Sequence, residues 1–211
     1  FDRQWPKTIS AIVAMDPAVA GIVEIENDGY GPASTIQDIV TKLNNATSVG
    51  KFAFLDVDTL TGQVNALGTD AIKVGLIYQP ALVTPIGTTS VLNSVAFVNG
   101  GDGSIRSRPS LLQAFEENAT GGIFLVDVNH LKSKGSACDA ADAGDGQGNC
   151  NIVRTNAVNA LIAWLATDPT GTGDPDIMIL GDLNSYARED PIAALEAAGF
   201  VNATSGSDVY S

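Results

Sequence analysis

The feature that most constrains the fold is a set of apolar segments that each end abruptly in polar side chains. The three segments, each with the polar residues that follow it, are Ala20–Val23 with Glu24, Ile123–Val128 with Asn129 and His130, and Ile177–Leu180 with Asp182 and Asn184. Short apolar runs bounded by turn or polar residues are typical of buried strands. A strand that carries its polar groups at its end delivers them to a sheet edge, where ligands collect in α/β proteins.

The residue types at these strand ends suit phosphate chemistry. Two carboxylates, Glu24 and Asp182, are the ligands that Mg²⁺ prefers together with substrate phosphate and water. The single histidine, His130, can transfer protons near neutral pH. The Asn184 amide can donate a hydrogen bond to a phosphate oxygen. If the three ends lie on one edge, the set predicts metal-assisted phosphodiester hydrolysis.

Each residue also has a structural interpretation. Asp182 and Asn184 fit a turn in which their side chains bond only local backbone. Phe124, Val126 and Val128 share a face with His130 in a strand, so His130 fits a buried core histidine. Glu24 fits an ordinary strand-end charge. The sequence leaves these alternatives open.

The composition is that of an ordered globular chain. The 211 residues are 45% hydrophobic and 17% charged, which predicts one domain over 1–211. No apolar run is long enough to span a membrane, and no protein partner is evident. The formal charge of −13 repels polyphosphates at long range. Local cations, such as Lys132 and Lys134, and bound divalent ions are therefore needed if the substrate is a nucleic acid.

The two cysteines predict an extracytoplasmic location. Cys138 and Cys150 bracket a polar, glycine-rich segment, and a bridge closing a loop of this size would stabilise the chain by about 3 kcal/mol. Disulfides persist in oxidising compartments, so we expect an extracellular or periplasmic protein. Two free thiols are the alternative.

Hydrophobic patterning predicts an α/β sandwich. The predicted helices are 8–15, 34–45, 151–166 and 191–198, and the predicted strands are 18–25, 52–57, 72–78, 123–130 and the segment from Ile177, with weaker strands at 95–98 and 111–115. Strands and helices alternate without a clean βαβ repeat, which favours a mixed-sheet sandwich over a doubly wound fold.

Five motifs in a fixed order resemble the endonuclease/exonuclease/phosphatase superfamily. They are Gly21–Gly29, Val74–Tyr78, Arg108-Pro109, Val128–Gly135 and Gly181–Asn184. The His-Leu-Lys-Ser-Lys-Gly sequence and the Gly-Asp-Gly-Gln-Gly segment before Cys150 resemble the secreted bacterial nuclease branch. The resemblance runs across nearly the whole chain.

The resemblance implies a role for each matching residue. Glu24 matches the family's metal-binding glutamate. His130 matches the histidine of the pancreatic deoxyribonuclease type, which acts on the leaving oxygen or the transition-state phosphate. Asp182 would orient or activate water and Asn184 would bond a phosphate oxygen. The phosphate-contacting positions of the family fall on Tyr78 and Arg108.

The fold implied by the resemblance is a four-layer α/β sandwich with two packed mixed β-sheets and the site at one end. The family begins with a strand that carries an active-site Asn and closes with a strand and an Asp-His pair. This sequence shows neither, and it has no second histidine. The expectation is therefore a domain truncated at both ends, without its first and last core strands.

The function predicted from residues and resemblance together is divalent-metal-dependent phosphodiester hydrolysis by a secreted nuclease acting on DNA. Mg²⁺ is the expected cation, with Ca²⁺ or Mn²⁺ as alternatives. One alternative function is a phosphatase or phosphodiesterase of the same superfamily that acts on lipid or small phosphate esters. The other is a non-catalytic extracellular module or an inactive fragment.

Overall fold

The structure, a computed structural model that describes residues 5–203, is built around two β-sheets. Its strands are β1 (Val19–Glu26), β2 (Ala53–Phe54), β3 (Ile72–Tyr78), β4 (Val83–Leu92), β5 (Ser110–Glu117), β6 (Ile123–His130) and β7 (Ile177–Asp182). Its helices are α1 (Trp5–Met15), α2 (Thr35–Ala46), α3 (Val57–Thr61), α4 (Val95–Val98), α5 (Asn151–Leu165) and α6 (Asp190–Ala197). None of the helices in this described part is long and apolar enough to cross a membrane.

The two sheets differ in strand pairing. The first has the order β1-β3-β2 and is antiparallel throughout. The second has the order β4-β5-β6-β7, in which β6 and β7 pair in parallel and the other neighbours are antiparallel. The parallel pair matters for function because parallel strands end at the same edge of a sheet.

The sheets pack face to face with helices on both outer surfaces. Val74 and Leu76 of β3 share an apolar cluster with Phe115 of β5 and with Val126 and Val128 of β6. A second cluster joins α1 and α2 to the first sheet, and a third joins α4, α5 and α6 to the second. The layers are therefore helix, sheet, sheet and helix, which confirms the predicted α/β sandwich.

Local signals explain where the elements begin and end. The side chain of Ser34 accepts a hydrogen bond from the backbone N–H of Gln37, as the predicted N-cap of α2 requires. The predicted bounds of β3 and β6 agree with the structure, and those of α5 agree to within one residue. The predictions from long apolar patterns are therefore confirmed for these three elements.

Several segments differ from the prediction. The strand predicted over 52–57 is confined to Ala53–Phe54, and Val57 begins the helix α3, which was not predicted. Val95–Val98 was predicted as a strand and is the short helix α4; four apolar residues have no period that separates helix from strand. β4 was not predicted, because Pro85, Gly87 and several threonines dilute its apolar pattern. It is an edge strand, and proline within sheets is found mainly on edges.

Candidate active site

The ends of β6 and β7 place His130 beside Asp182. The two residues are partners in the parallel ladder, and the N–H of Leu131 donates to the Asp182 carbonyl at 2.9 Å. The ladder therefore continues to the last residue of both strands, and both side chains leave the sheet at one edge.

Asn184 is held by the turn that follows β7. Its N–H donates to Oδ1 of Asp182 at 2.8 Å, and its side-chain amide donates to the carbonyl of Leu131 at 3.0 Å. The backbone of Asn184 is left-handed, with φ of 50°. The Asx-type turn is thus present, and it fixes the Asn184 amide against the end of β6.

Gly181 allows β7 to approach β6 closely at this point. Its φ is 113°, and a Cβ built there would lie 2.1 Å from the carbonyl oxygen of Asn129. Neither condition can be met by a residue with a side chain. The glycine before Asp182 therefore has a steric role, in addition to any role in the motif.

Glu24 reaches the same edge from the other sheet. It lies in an irregular stretch of β1, where the register with β3 shifts between Ile22 and Ile25, and its φ is 59°. Bulges of this kind re-aim side chains near active sites. The Glu24 side chain is exposed, and its Oε1 lies 3.8 Å from Nε2 of His130.

Arg108 and Asp70 complete the surroundings of His130. The backbone N–H of Arg108 donates to the carbonyl of His130 at 3.1 Å. The Arg108 guanidinium forms an ion pair with Asp70 at 2.8 Å. The cluster defined by Glu24, Asp70, Arg108, His130, Asp182 and Asn184 is called the strand-end cluster below.

The electrostatics of this cluster keep His130 neutral near pH 7. The His130 residue is 3% exposed, and burial lowers the pKa of its imidazole because the charged form loses solvation. The Arg108 charge lowers the pKa further, while Asp182, Glu24 and Asp70 raise it by smaller amounts. Nδ1 of His130 is buried and has no hydrogen-bond partner within the described residues, which is uncommon for a structural histidine.

A buried polar network lies on the opposite face of β6. The carboxylate of Asp127 accepts hydrogen bonds from Ser110 and from the side-chain amide of Asn129. Asp127 is fully buried, and burial raises its pKa to about 6. Asp127 and Asn129 alternate with His130 along β6, so their side chains lie on the face of the strand opposite to His130.

The structure does not bring Tyr78 to this site. Tyr78 pairs with Val19 at the start of β1, whereas Glu24 lies near the other end of that strand. Its ring packs on Phe115 with centroids 5.7 Å apart. Phe115 in turn pairs with Phe124 at the start of β6, far along the strand from His130. The predicted phosphate contact by Tyr78 is corrected to a core-packing role.

Asp70 was missed by sequence reasoning. Asp70 does not follow an apolar run and lies outside the five motifs of the resemblance; it precedes β3. Because β1 and β3 are antiparallel, with Glu26 opposite Ile72, the beginning of β3 lies at the same edge as the end of β1. The sequence feature that could have identified Asp70 as a site residue is therefore a charge two positions before a buried strand.

The cluster fits a divalent cation of the Mg²⁺ type. Within the described residues, no group of three or more His, Cys, Asp and Glu side chains is arranged as a metal cage. Mg²⁺ does not need such a cage, because it keeps several waters and takes one or two carboxylates plus substrate phosphate. Glu24, which is exposed, has the right chemistry to contribute one such carboxylate.

Comparison with known proteins gives the fold and no family. No family model matches the sequence, and no curated protein matches it. An endonuclease/exonuclease/phosphatase family protein from Bacteroides thetaiotaomicron is similar in structure, with a TM-score of 0.61 and 11% identity over 94% of this chain and 61% of that one. The chain has the endonuclease/exonuclease/phosphatase fold.

Two further structures with this fold are of proteins described with different substrates or ligands. One is a mannosyl-6-phosphatase of Bacteroides thetaiotaomicron VPI-5482, with a TM-score of 0.62 and 11% identity over 94% of this chain and 62% of that chain. The other is TDP2 of D. rerio complexed with a single-strand DNA product, with a TM-score of 0.52 and 12% identity over 94% of this chain and 58% of that chain. The chain spans about three fifths of the length of each of these proteins. A shared fold at such identity does not choose among their substrates.

Proposed function

We propose that this chain is a secreted, divalent-metal-dependent phosphodiesterase that acts on DNA. The observation that carries the proposal is the meeting of Glu24, His130 and Asp182 from the ends of three strands in two different sheets. The endonuclease/exonuclease/phosphatase fold supports phosphoester hydrolysis in general. The Cys138–Cys150 disulfide supports a location outside the cytoplasm, since such bridges persist in oxidising compartments.

Each side chain has a distinct role in the proposed reaction. Glu24 holds the cation, which when bound supplies a positive charge that stabilises the phosphate oxygens. Asp182 is exposed and next to His130, so its carboxylate orients the attacking water and accepts its proton. Asn184 and Arg108 donate hydrogen bonds to phosphate oxygens, for which amide and guanidinium groups are suited.

His130 acts on the leaving side of the phosphate. A neutral imidazole has one donor and one acceptor nitrogen, and its pKa is lowered by burial and by Arg108. It can therefore donate a hydrogen bond to the developing charge without carrying a permanent charge of its own. Burial also holds the ring in one orientation.

The proposal is tested by nicking of supercoiled plasmid DNA by the full-length protein. We expect cleavage with Mg²⁺, none with EDTA, and a loss of about 100-fold or more in Asp182→Asn. Asp38→Asn is the matched control, because Asp38 forms an exposed i,i+4 ion pair with Lys42 on α2 and should leave the rate unchanged.

Cleavage that survives EDTA, or that survives Asp182→Asn, would overturn the mechanism. A phosphatase of the same fold is the second candidate, since a mannosyl-6-phosphatase has this fold. It would instead release phosphate from sugar phosphates in the same buffer and leave the plasmid intact. A protein that binds DNA but cleaves none of these substrates would be a non-catalytic module.

A further inference from the structure

A separate cavity adjoins the strand-end cluster. Its volume is about 670 Å³, within the range of small-molecule sites. It is lined by the segments before β3 and before β5 and by the residues after β6. Asp70 and Arg108 belong to both places, because each lines the cavity and each is a member of the strand-end cluster.

Three cations line this cavity: Arg106, Arg108 and Lys132. This concentration of positive charge is unusual in a chain whose formal charge is −13. Both arginines have carboxylate partners. Arg106 pairs with Asp102 and, at 3.2 Å, with Asp139, and Arg108 pairs with Asp70 at 2.8 Å.

Lys132 differs from the two arginines because its charge is not neutralised. Its ammonium group donates to the carbonyl of Ser133 at 2.8 Å and to the hydroxyl groups of Ser136 at 3.0 Å and Ser133 at 3.4 Å. Among the ion pairs of the described residues, none includes Lys132. All its partners are neutral oxygens, and an anion can replace a hydroxyl group at an ammonium with a gain in free energy.

The surroundings of Lys132 favour an anion. The residue is 8% exposed, and its pKa is lowered by burial and by the charges of Arg106, Arg154 and Arg108. Nε of Arg108 is also buried without a hydrogen-bond partner. Like charges held together in partly buried space cost free energy, and a bound phosphate would offset that cost.

Apolar side chains also belong to the lining of the cavity. Leu67, Val98 and Pro109 line it, and Ile105, which is 70% exposed, stands at its edge. A free phosphate ion would use only the cationic side chains. A phosphate that carries a sugar and a base would use the cationic and the apolar side chains, as ligands of mixed sites usually do.

We propose that this cavity binds the nucleotide next to the scissile phosphodiester, with its phosphate on Lys132 and Arg106 and its sugar and base against Ile105. The inference rests on the proposed function, and it names the substrate class as a polynucleotide with at least one phosphate beyond the bond that is cut. Small phosphate esters have no group that would occupy this cavity.

The first test is binding without catalysis. Affinity for a short single-stranded DNA oligonucleotide is measured by fluorescence anisotropy in EDTA over a range of salt concentrations. Lys132→Met keeps the length of the side chain and should weaken binding by about tenfold, the worth of one charge-assisted hydrogen bond. It should also reduce the salt slope by about one. Lys42→Met, which removes an equal charge on α2, should change neither.

A second variant avoids any change in buried structure. Ile105→Asp places a negative charge at the exposed edge of the cavity and should weaken oligonucleotide binding by a similar factor. Val49→Asp is its control, because Val49 is 99% exposed and lies in the α2–β2 turn outside the cavity. Thermal unfolding of all four variants shows whether each is folded.

The second test is cleavage of two substrates in Mg²⁺. Lys132→Met should raise KM for the oligonucleotide about tenfold with kcat little changed, while kcat/KM for bis(4-nitrophenyl) phosphate stays within twofold. Equal loss on both substrates would overturn the inference and assign Lys132 to holding the Ser133–Ser136 turn. Oligonucleotide binding that is unaffected by Lys132→Met and by Ile105→Asp would also overturn the inference. If neither substrate is cleaved but the binding differences remain, the proposed reaction fails and the nucleotide site stands.

Discussion

At the scale of single residues, burial and the charges of the strand-end cluster act in opposite directions on the pKa of His130. Burial and Arg108 disfavour the imidazolium, and three carboxylates favour it. The balance leaves its pKa below the ordinary value of 6.5. A histidine that was only packed in the core would not need a cation on one side and carboxylates on the other.

The single histidine makes this balance directly measurable. In an NMR titration of the metal-free protein, we expect His130 to titrate below pH 6.5. Arg108→Met should raise its pKa because a repelling charge is removed, and Glu24→Gln should lower it because an attracting charge is removed. Lys51→Met is the control. Lys51 forms an ion pair with Asp16 and is not among the charges that shift the pKa of His130, so this variant should leave that pKa unchanged.

The lowered pKa of His130 makes the free energy of unfolding depend on pH. The unfolded chain binds a proton at His130 at higher pH than the folded chain does, so the free energy of unfolding should fall as pH drops below about 6.5. His130→Gln should reduce this dependence. A folded-state pKa at or above 6.5 would contradict the electrostatic description of the cluster.

At the scale of elements, α5 is connected to the site through one buried arginine. Arg154 is fully buried and donates to the carbonyls of Lys132, Asn149 and Gln147 at 3.2, 2.6 and 3.3 Å. Those carbonyls belong to the segment that follows β6. The disulfide between Cys138 and Cys150 closes this segment just before α5 begins.

The predicted bridge is present, and its contribution can be measured. The double variant Cys138→Ser/Cys150→Ser should lower the free energy of unfolding by about 3 kcal/mol, mainly because the unfolded chain regains loop freedom. Urea unfolding with and without a reductant checks this. Reductant should destabilise the wild-type protein and leave the double variant unchanged; a wild-type protein insensitive to reductant would refute the bridge.

At the scale of the whole molecule, the site exists only because the two sheets approach each other closely. Gly21 of β1 lies at that contact. A Cβ built on Gly21 would be 2.1 Å from Cδ1 of Leu180 on β7 and 2.9 Å from Cγ2 of Val128 on β6. The close approach brings the end of β1, with Glu24, next to the ends of β6 and β7.

Enlarging Gly21 should therefore separate the sheets. We expect Gly21→Val to lower the free energy of unfolding by about 1–3 kcal/mol, as overpacking does in cores, and Gly21→Ala to cost less because Leu180 can move. Urea unfolding gives the values. Gly31→Ala is the control, since a Cβ there meets no atom within 4 Å. No destabilisation in Gly21→Val would show that the sheets are not packed as described.

The sequence by itself determined the local features of this protein. Apolar runs predicted β3, β6 and β7, Ser34 predicted the start of α2, and the polar residues after the runs singled out Glu24, His130, Asp182 and Asn184 as candidate site residues. These signals are local because side-chain period and capping depend on residues a few positions apart. β4 was not predicted and α4 was predicted as a strand, because their apolar patterns are weak or too short.

The tertiary structure alone decided which strand ends meet. The antiparallel pairing of β1 with β3 brings Asp70 to the Glu24 end and carries Tyr78 to the opposite end. The cavity beside Arg108 likewise joins residues from segments before β3, before β5 and after β6. Strand direction and sheet packing are set by contacts between distant parts of the chain, and a single sequence does not display those contacts.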